Sequence, residues 1–144
     1  MSSAVVRMFE EDEITRELET LASLAQQPTI IIAPDTPIAE VRARFVAERV
    51  AAILVVDAGD NLLGILTRTD ALRAAPEDCA KDALSGVVFV LPMYASVERA
   101  AALMAYEGVG QIVVTDGDGA LVGIVSAVDL VRHYAVAAGY LRAE

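Results

Sequence analysis

Two seven-residue stretches carry the residue types best suited to holding a small polar ligand. They are Gly64-Ile65-Leu66-Thr67-Arg68-Thr69-Asp70 and Gly123-Ile124-Val125-Ser126-Ala127-Val128-Asp129. In each, an apolar run ends at a hydroxyl residue with an aspartate three positions on. Ahead of a helix that spacing has a structural meaning, the capping box. The hydroxyl accepts from a free backbone N–H, and the carboxylate reaches back and complements the helix dipole. The same physics can hold a ligand. A helix N-terminus offers unpaired N–H groups and partial positive charge. Glycine permits close approach to the backbone, and a carboxylate can accept from a ribose diol. Both stretches keep glycine, hydroxyl and aspartate, although other residues would cap as well. That tilts the balance towards a ligand role.

Little else in the chain points to catalysis. His133 is the only histidine, expected on the surface of the last helix, and no nucleophile motif accompanies it. Cys79 is the only cysteine, so no internal disulfide framework exists and no Cys/His pair is available for a metal. Asp116-Gly117-Asp118-Gly119 begins like a calcium loop but lacks the later ligands and the closing glutamate, so it reads as a hairpin turn. The chain is expected not to be an enzyme and to need no resident cofactor or metal.

The elements that must position the two stretches come from an internal repeat. At an offset of 59, Glu48 matches Glu107, Ile53 matches Ile112, and Asp57 matches Asp116. Gly64, Asp70 and Arg73 match Gly123, Asp129 and Arg132. The register slips near the start, where Pro34 and Pro92 differ by 58, so the second copy is expected to hold one extra loop residue there. Each copy reads as β-α-β-β-α. A short strand (30–32 or 87–91) precedes a helix with apolar residues on one face, Ile38, Val41, Phe45 and Val46, or Val97, Ala100, Met104 and Ala105. The continuous apolar runs Ile53-Leu54-Val55-Val56 and Ile112-Val113-Val114 indicate strands buried on both faces. Turns at 57–61 and 116–119 lead to the strands that end in the hydroxyl–aspartate pairs. Further helices are expected over 14–26, 77–84 and 130–141. The fold class is therefore α/β (α+β), with tandem repeats too small to fold alone packed about a pseudo-two-fold axis. The expected domains are an N-terminal extension and helix (1–27), the first repeat (28–76), and a linker helix with the second repeat (77–144).

Composition narrows the partners. With 144 residues, 11 Lys+Arg against 21 Asp+Glu and a net charge of −10, the chain lacks the clustered cations that nucleic acid or an anionic membrane requires. A mean hydropathy of +0.50 argues for a packed core. No apolar stretch reaches the ~18–20 residues of a membrane span, and the N-terminus has no signal-peptide pattern. The expected location is the cytoplasm.

The doubled Gly-x-x-Thr/Ser-x-x-Asp pattern, with Ala51-Ala52-Ile53-Leu54-Val55-Val56-Asp57 and Gly110-Gln111-Ile112-Val113-Val114-Thr115-Asp116 before it, resembles a CBS-domain pair, or Bateman module. The segment Lys81-Asp82-Ala83-Leu84-Ser85-Gly86-Val87-Val88 is similar to the linker that opens a CBS repeat, and the likeness runs from about residue 28 to the end. The resemblance implies a regulatory module that binds AMP, ADP, ATP or S-adenosylmethionine in clefts between the repeats and signals to a partner protein. It implies that Asp70 and Asp129 hold ribose hydroxyls and that Thr67 and Ser126 contact phosphate. Ile31, Ala52, Val90 and Gln111 then line the adenine pocket or meet the ligand. This chain departs from the pattern in having Leu54 and Val113 where a proline is common. Ala52 and Gln111 stand where a basic or hydroxyl residue is common. The cleft with Thr67, Arg68 and Asp70 is the better candidate for an anionic ligand, although Arg68 also reads as an ordinary solvated first-turn residue. The first helix of the second copy, with Ala101, Ala102, Leu103 and Tyr106 outside its core face, and the final helix over 130–141 are apolar on more than one side. They pack either on the N-terminal helix or on a second copy in a homodimer. The alternative to ligand binding is a structural interaction or oligomerisation module in which both motifs serve only as helix caps.

Overall fold

A computed structural model describes residues 19–25, 29–84 and 86–142. The elements in chain order are α1 (Leu21–Leu24), β1 (Ile31–Ile32), α2 (Ile38–Glu48), β2 (Ala52–Val56), β3 (Leu62–Thr67) and α3 (Arg68–Arg73). They continue with α4 (Ala80–Ala83), β4 (Val90–Pro92), α5 (Val97–Glu107), β5 (Gln111–Thr115), β6 (Leu121–Ser126) and α6 (Ala127–Ala137). The β-α-β-β-α unit thus occurs twice. Each unit holds one three-stranded sheet, ordered β1-β2-β3 or β4-β5-β6. The first two strands are parallel and the last two antiparallel. The central strands β2 and β5 are buried along nearly their whole length, which is why their sequences are continuously apolar.

The register corrects one expectation. Ile31 pairs with Leu54 and Val90 with Val113, so the offset of 59 holds through the first strands and no loop residue is inserted. The two prolines are simply not equivalent, and the second strand begins at Val90, later than its apolar sequence suggested. The helix faces also differ in part. Ile38, Val41 and Phe45, and Val97, Ala100 and Met104, are buried, whereas Val46 is 82% exposed and Ala105 is exposed. A residue eight positions on lies ~80° around the helix from the first, at the edge of the buried stripe. The helix expected over 14–26 is seen as Leu21–Leu24, its earlier positions lying outside the described residues. The linker helix shrinks to Ala80–Ala83. The last helix ends at Ala137, because Gly139 turns the chain at φ +84 and its N–H bonds the Val136 carbonyl.

The short helices reveal how the halves are joined. Leu21 and Ala25 bury themselves in the second repeat's core with Leu91, Val97, Met104, Ile112, Val125 and Leu130. Ala80 does the same in the first repeat's core with Ile32, Ile38, Phe45, Ile53 and Leu66. Each repeat is therefore completed by the helix that precedes the other. The hydrogen bonds obey the same exchange. Leu21 N donates to Ala95 O and Val97 N to Glu19 O, while Ala80 N donates to Thr36 O and Ile38 N to Asp78 O. The isolated bridges Thr20–Ser96 and Pro37–Cys79 map onto each other under the 59-residue offset. These pairs establish the pseudo-two-fold relation.

One local difference breaks it. In the first repeat Arg42 Nε and Nη2 donate to the carbonyls of Ala71 (3.0 Å) and Ala74 (2.8 Å), closing the C-terminal end of α3. Ala101 stands at the equivalent place in the second repeat, where α6 runs on for 11 residues.

Candidate functional site

Both hydroxyl–aspartate pairs sit where the last strand of a sheet turns directly into a helix, β3 into α3 and β6 into α6. Thr67 N donates to Asp70 Oδ2 at 2.9 Å, and Asp70 N donates to Thr67 Oγ1 at 3.3 Å. The Thr67 hydroxyl also lies 2.9 Å from Asp70 Oδ2 and donates to it. In the second repeat Ser126 N donates to Asp129 Oδ2 at 2.8 Å, and Asp129 N to Ser126 Oγ at 3.2 Å. Both motifs are complete capping boxes. Ala127 N, at the first position of α6, donates to Gly110 O at 2.8 Å. Arg132 lies 3.6 Å from Asp129 Oδ1. Arg68 is exposed at the start of α3.

Strand register decides which of the expected residues meet. Ala52 pairs with Thr67, and Gln111 pairs with Ser126. Residues directly opposite on a sheet share a face, as do residues two apart. Ile31, Ala52, Leu54, Ile65 and Thr67 therefore line one face of the first sheet. Val90, Gln111, Val113, Ile124 and Ser126 line the equivalent face of the second. Ile31 and Val90 stand one strand over and remain 51% and 48% exposed. Leu54 and Val113 are fully buried, yet neither belongs to the core between a sheet and its own helices. The fold thus sets each hydroxyl–aspartate pair and its cross-strand neighbour at the rim of an apolar sheet face turned away from the repeat's own helices.

The motif glycines have a packing role. A methyl group at Gly64 would lie 3.0 Å from Leu84 Cδ2. At Gly123 it would lie 2.9 Å from Thr29 Oγ1 and 3.0 Å from the Ala25 carbonyl oxygen. Glycine is used here so that the exchanged segment can press against the sheet.

Sequence reasoning missed an open groove of about 560 Å³ at the carboxyl ends of the parallel strands β1 and β2. Ile31, Pro34, Asp35, Asp57, Asp60 and Lys81 help line it, and none of the motif side chains does. Parallel strands ending side by side were the signal that could have pointed to it. Asp57 accepts from Asn61 N, Asn61 Nδ2 and Gly59 N, and these bonds, the Asn61 backbone first, hold its carboxyl below the usual carboxylate range. Asp116 accepts from Asp118 N and Ala120 N in the same manner, so Asp116 to Gly119 forms the expected hairpin turn.

His133 is half-buried rather than fully on the surface. Its side chain is only 13% exposed, and Nδ1 lies 3.5 Å from Glu19 Oε2, because the chain entering α1 runs beside α6. The Cys79 thiol donates to Asp82 Oδ2 at 3.0 Å, and this bond, with burial second, pushes the thiol up. A protonated thiol that caps a helix is a poor nucleophile. Among the described residues, no cluster of three or more His, Cys, Asp or Glu could hold a metal ion. No described helix is long and apolar enough to cross a membrane.

Comparison with known proteins adds the family. The fold is shared with a CBS-domain containing protein of Agrobacterium tumefaciens, with 22% identity, a TM-score of 0.73, and coverage of 83% of this chain and 96% of that one. It is shared with CBSX2 in complex with AMP, at 21% identity and a TM-score of 0.69, covering 81% and 96%. It is also shared with the CBS domain pair of protein MJ0100 in complex with 5-methylthioadenosine and S-adenosyl-L-methionine, at 20% identity and a TM-score of 0.73, covering 81% and 96%. A curated relative, inosine-5′-monophosphate dehydrogenase of Thermoplasma acidophilum, is 25% identical over 124 residues. The match takes in 82% of this chain and 25% of that protein, so the chain spans about a quarter of the relative's length. The CBS-domain family profile matches twice, over residues 21–77 and 80–136, and each match begins at one of the two exchanged helices. With the repeat, the exchanged helices and the family profile in agreement over most of its length, the chain belongs to the CBS-domain family as a tandem pair.

Proposed function

We propose that this CBS pair is a regulatory module that binds an adenosine-containing ligand in the clefts beside its hydroxyl–aspartate pairs and signals to a partner protein without catalysing a reaction. The carrying observation is positional. In both repeats a hydroxyl–aspartate pair, its cross-strand neighbour and a half-exposed aliphatic residue occupy equivalent places on one sheet face. Aliphatic Ile31 or Val90 offers a surface for a base, and Asp70 or Asp129 offers lone pairs for a ribose diol. Thr67, Arg68 and Ser126, with Ala52 and Gln111 opposite, complete the two clefts. The complexes of the two structural relatives with AMP and with 5-methylthioadenosine and S-adenosyl-L-methionine support the same ligand class. A ligand that bridges the repeats changes their packing, and the altered surface is what the partner reads. The module acts in the cytoplasm as a homodimer. Support for the dimer comes from Tyr106 on α5 and Val128, Val131 and Tyr134 on α6, which stay exposed after α1 has taken its place in the second core.

Calorimetric titration of AMP, ATP and S-adenosylmethionine into the wild type, Asp70→Ala and Asp129→Ala chains tests the reading. At least one ligand is expected to give heat with the wild type and weaker binding with a variant. No heat from any of them would sink it.

One observation favours a second reading, an interaction or oligomerisation module whose motifs are only caps. Both capping boxes are complete, which is all that stability requires. On that reading Asp129→Ala costs ~1 kcal/mol and no adenosine ligand raises the melting temperature. A ligand that binds only the folded chain must raise it.

A further inference from the structure

Resting on the reading of the clefts as adenosine sites, the geometry points to a selection within that class. We infer that they take purine nucleosides without phosphate, neutral or cationic at the 5′ position, in preference to nucleotides.

A phosphate needs donors and positive charge. At the start of α6 three of the backbone donors are already engaged. Ser126 N is held by Asp129 Oδ2, Asp129 N by Ser126 Oγ, and Ala127 N by Gly110 O. The anion that a helix N-terminus favours is already present, and it is the Asp129 carboxylate. In the first repeat Asp70 fills the same place and also accepts a hydrogen bond from the Thr67 hydroxyl at 2.9 Å. The cross-strand neighbours of the two hydroxyls are Ala52 and Gln111, neither of them cationic.

The nearby guanidiniums do not make up the deficit. Arg132 is turned to Asp129 at 3.6 Å. Arg42 spends Nε and Nη2 on the carbonyls that end α3. Arg68 is exposed, where solvent and salt screen its charge. A phosphate would therefore enter beside a carboxylate, within a chain of net charge −10. A ribose diol meets the opposite situation, since its hydroxyls donate and a carboxylate accepts. A sulfonium or amine at the 5′ end is drawn by the same carboxylates. Gln111, opposite Ser126, adds a neutral donor and acceptor that a nucleoside can use.

The test is calorimetry on the full chain with adenosine, 5′-methylthioadenosine, S-adenosylmethionine, AMP and ATP near neutral pH. Binding of at least one phosphate-free ligand about tenfold or more tighter than AMP, with ATP weakest, is the expected order. AMP binding as tightly as the best phosphate-free ligand overturns the inference and leaves the adenosine reading standing. No binding by any of the five overturns both. Gln111→Arg, checked for an unchanged circular dichroism spectrum, supplies the missing cation. It is expected to tighten AMP about tenfold relative to adenosine. A Gln111→Arg chain whose AMP affinity does not rise overturns the inference, because absence of a cation would then not be what excludes phosphate.

Discussion

Asp57 accepts hydrogen bonds from the backbone and side chain of Asn61 and from the backbone of Gly59, and these bonds tie the β2–β3 hairpin together. Because these bonds favour the ionised form, its folded carboxyl titrates below the ordinary value near ~3.9. The contribution to stability is then present in full above that ordinary value and is lost as pH falls through the lower folded one. The gap in melting temperature between wild type and Asp57→Ala should therefore be constant at neutral and mildly acidic pH and close on further acidification. A gap unchanged by acid would mean that the turn does not use the charge. The residue scale is also where sequence reading was most and least reliable. Thr67, Asp70, Ser126 and Asp129 form the caps their spacing predicts. The partial burial of His133 beside Glu19 leaves no local trace, because it depends on a segment more than a hundred positions away in the chain.

At the scale of elements the two repeats act as controls for each other. Helix α2 ends at Arg49, a non-glycine residue in the left-handed region at φ 53, whereas α5 ends at Gly108 with φ 67. Arg49→Gly should stabilise the chain by about 1 kcal/mol, since a β-carbon is disfavoured there. Chemical denaturation would read this as a higher midpoint with an unchanged slope. The motif glycines give a second comparison. A methyl at Gly123 meets a backbone carbonyl and Thr29, whereas at Gly64 it meets the end of a leucine side chain, which can rotate. Gly123→Ala should cost ~1–3 kcal/mol, and Gly64→Ala should cost clearly less. Equal losses in thermal melts would show that the two exchanged segments do not press on their sheets as described. The helix faces were legible from spacing, but α1 and α4, at four residues each, are too short to carry a periodic signal.

For the molecule as a whole, the exchange of α1 and α4 means that neither repeat owns a complete core. Leu21 and Ala25 serve the second, and Ala80 serves the first. The 144-residue chain should therefore unfold in a single transition, with far-ultraviolet dichroism and tyrosine fluorescence coincident. A fragment cut after residue 76 should fail to give a cooperative melt, because it strands Leu21 outside any core and removes Ala80. Two separable transitions would show the repeats to be independent. The sequence by itself determined the doubled unit, the central strands and the caps. These depend on contacts between near neighbours, and such contacts write a period or a fixed spacing into the chain. Only the tertiary structure decided that each leading helix crosses to the other repeat, that the motif glycines serve that crossing, and that Gln111 and Ala52 stand opposite the two hydroxyls. Those relations join residues far apart in the chain, and they are fixed by which surfaces must be hidden from water rather than by any local preference.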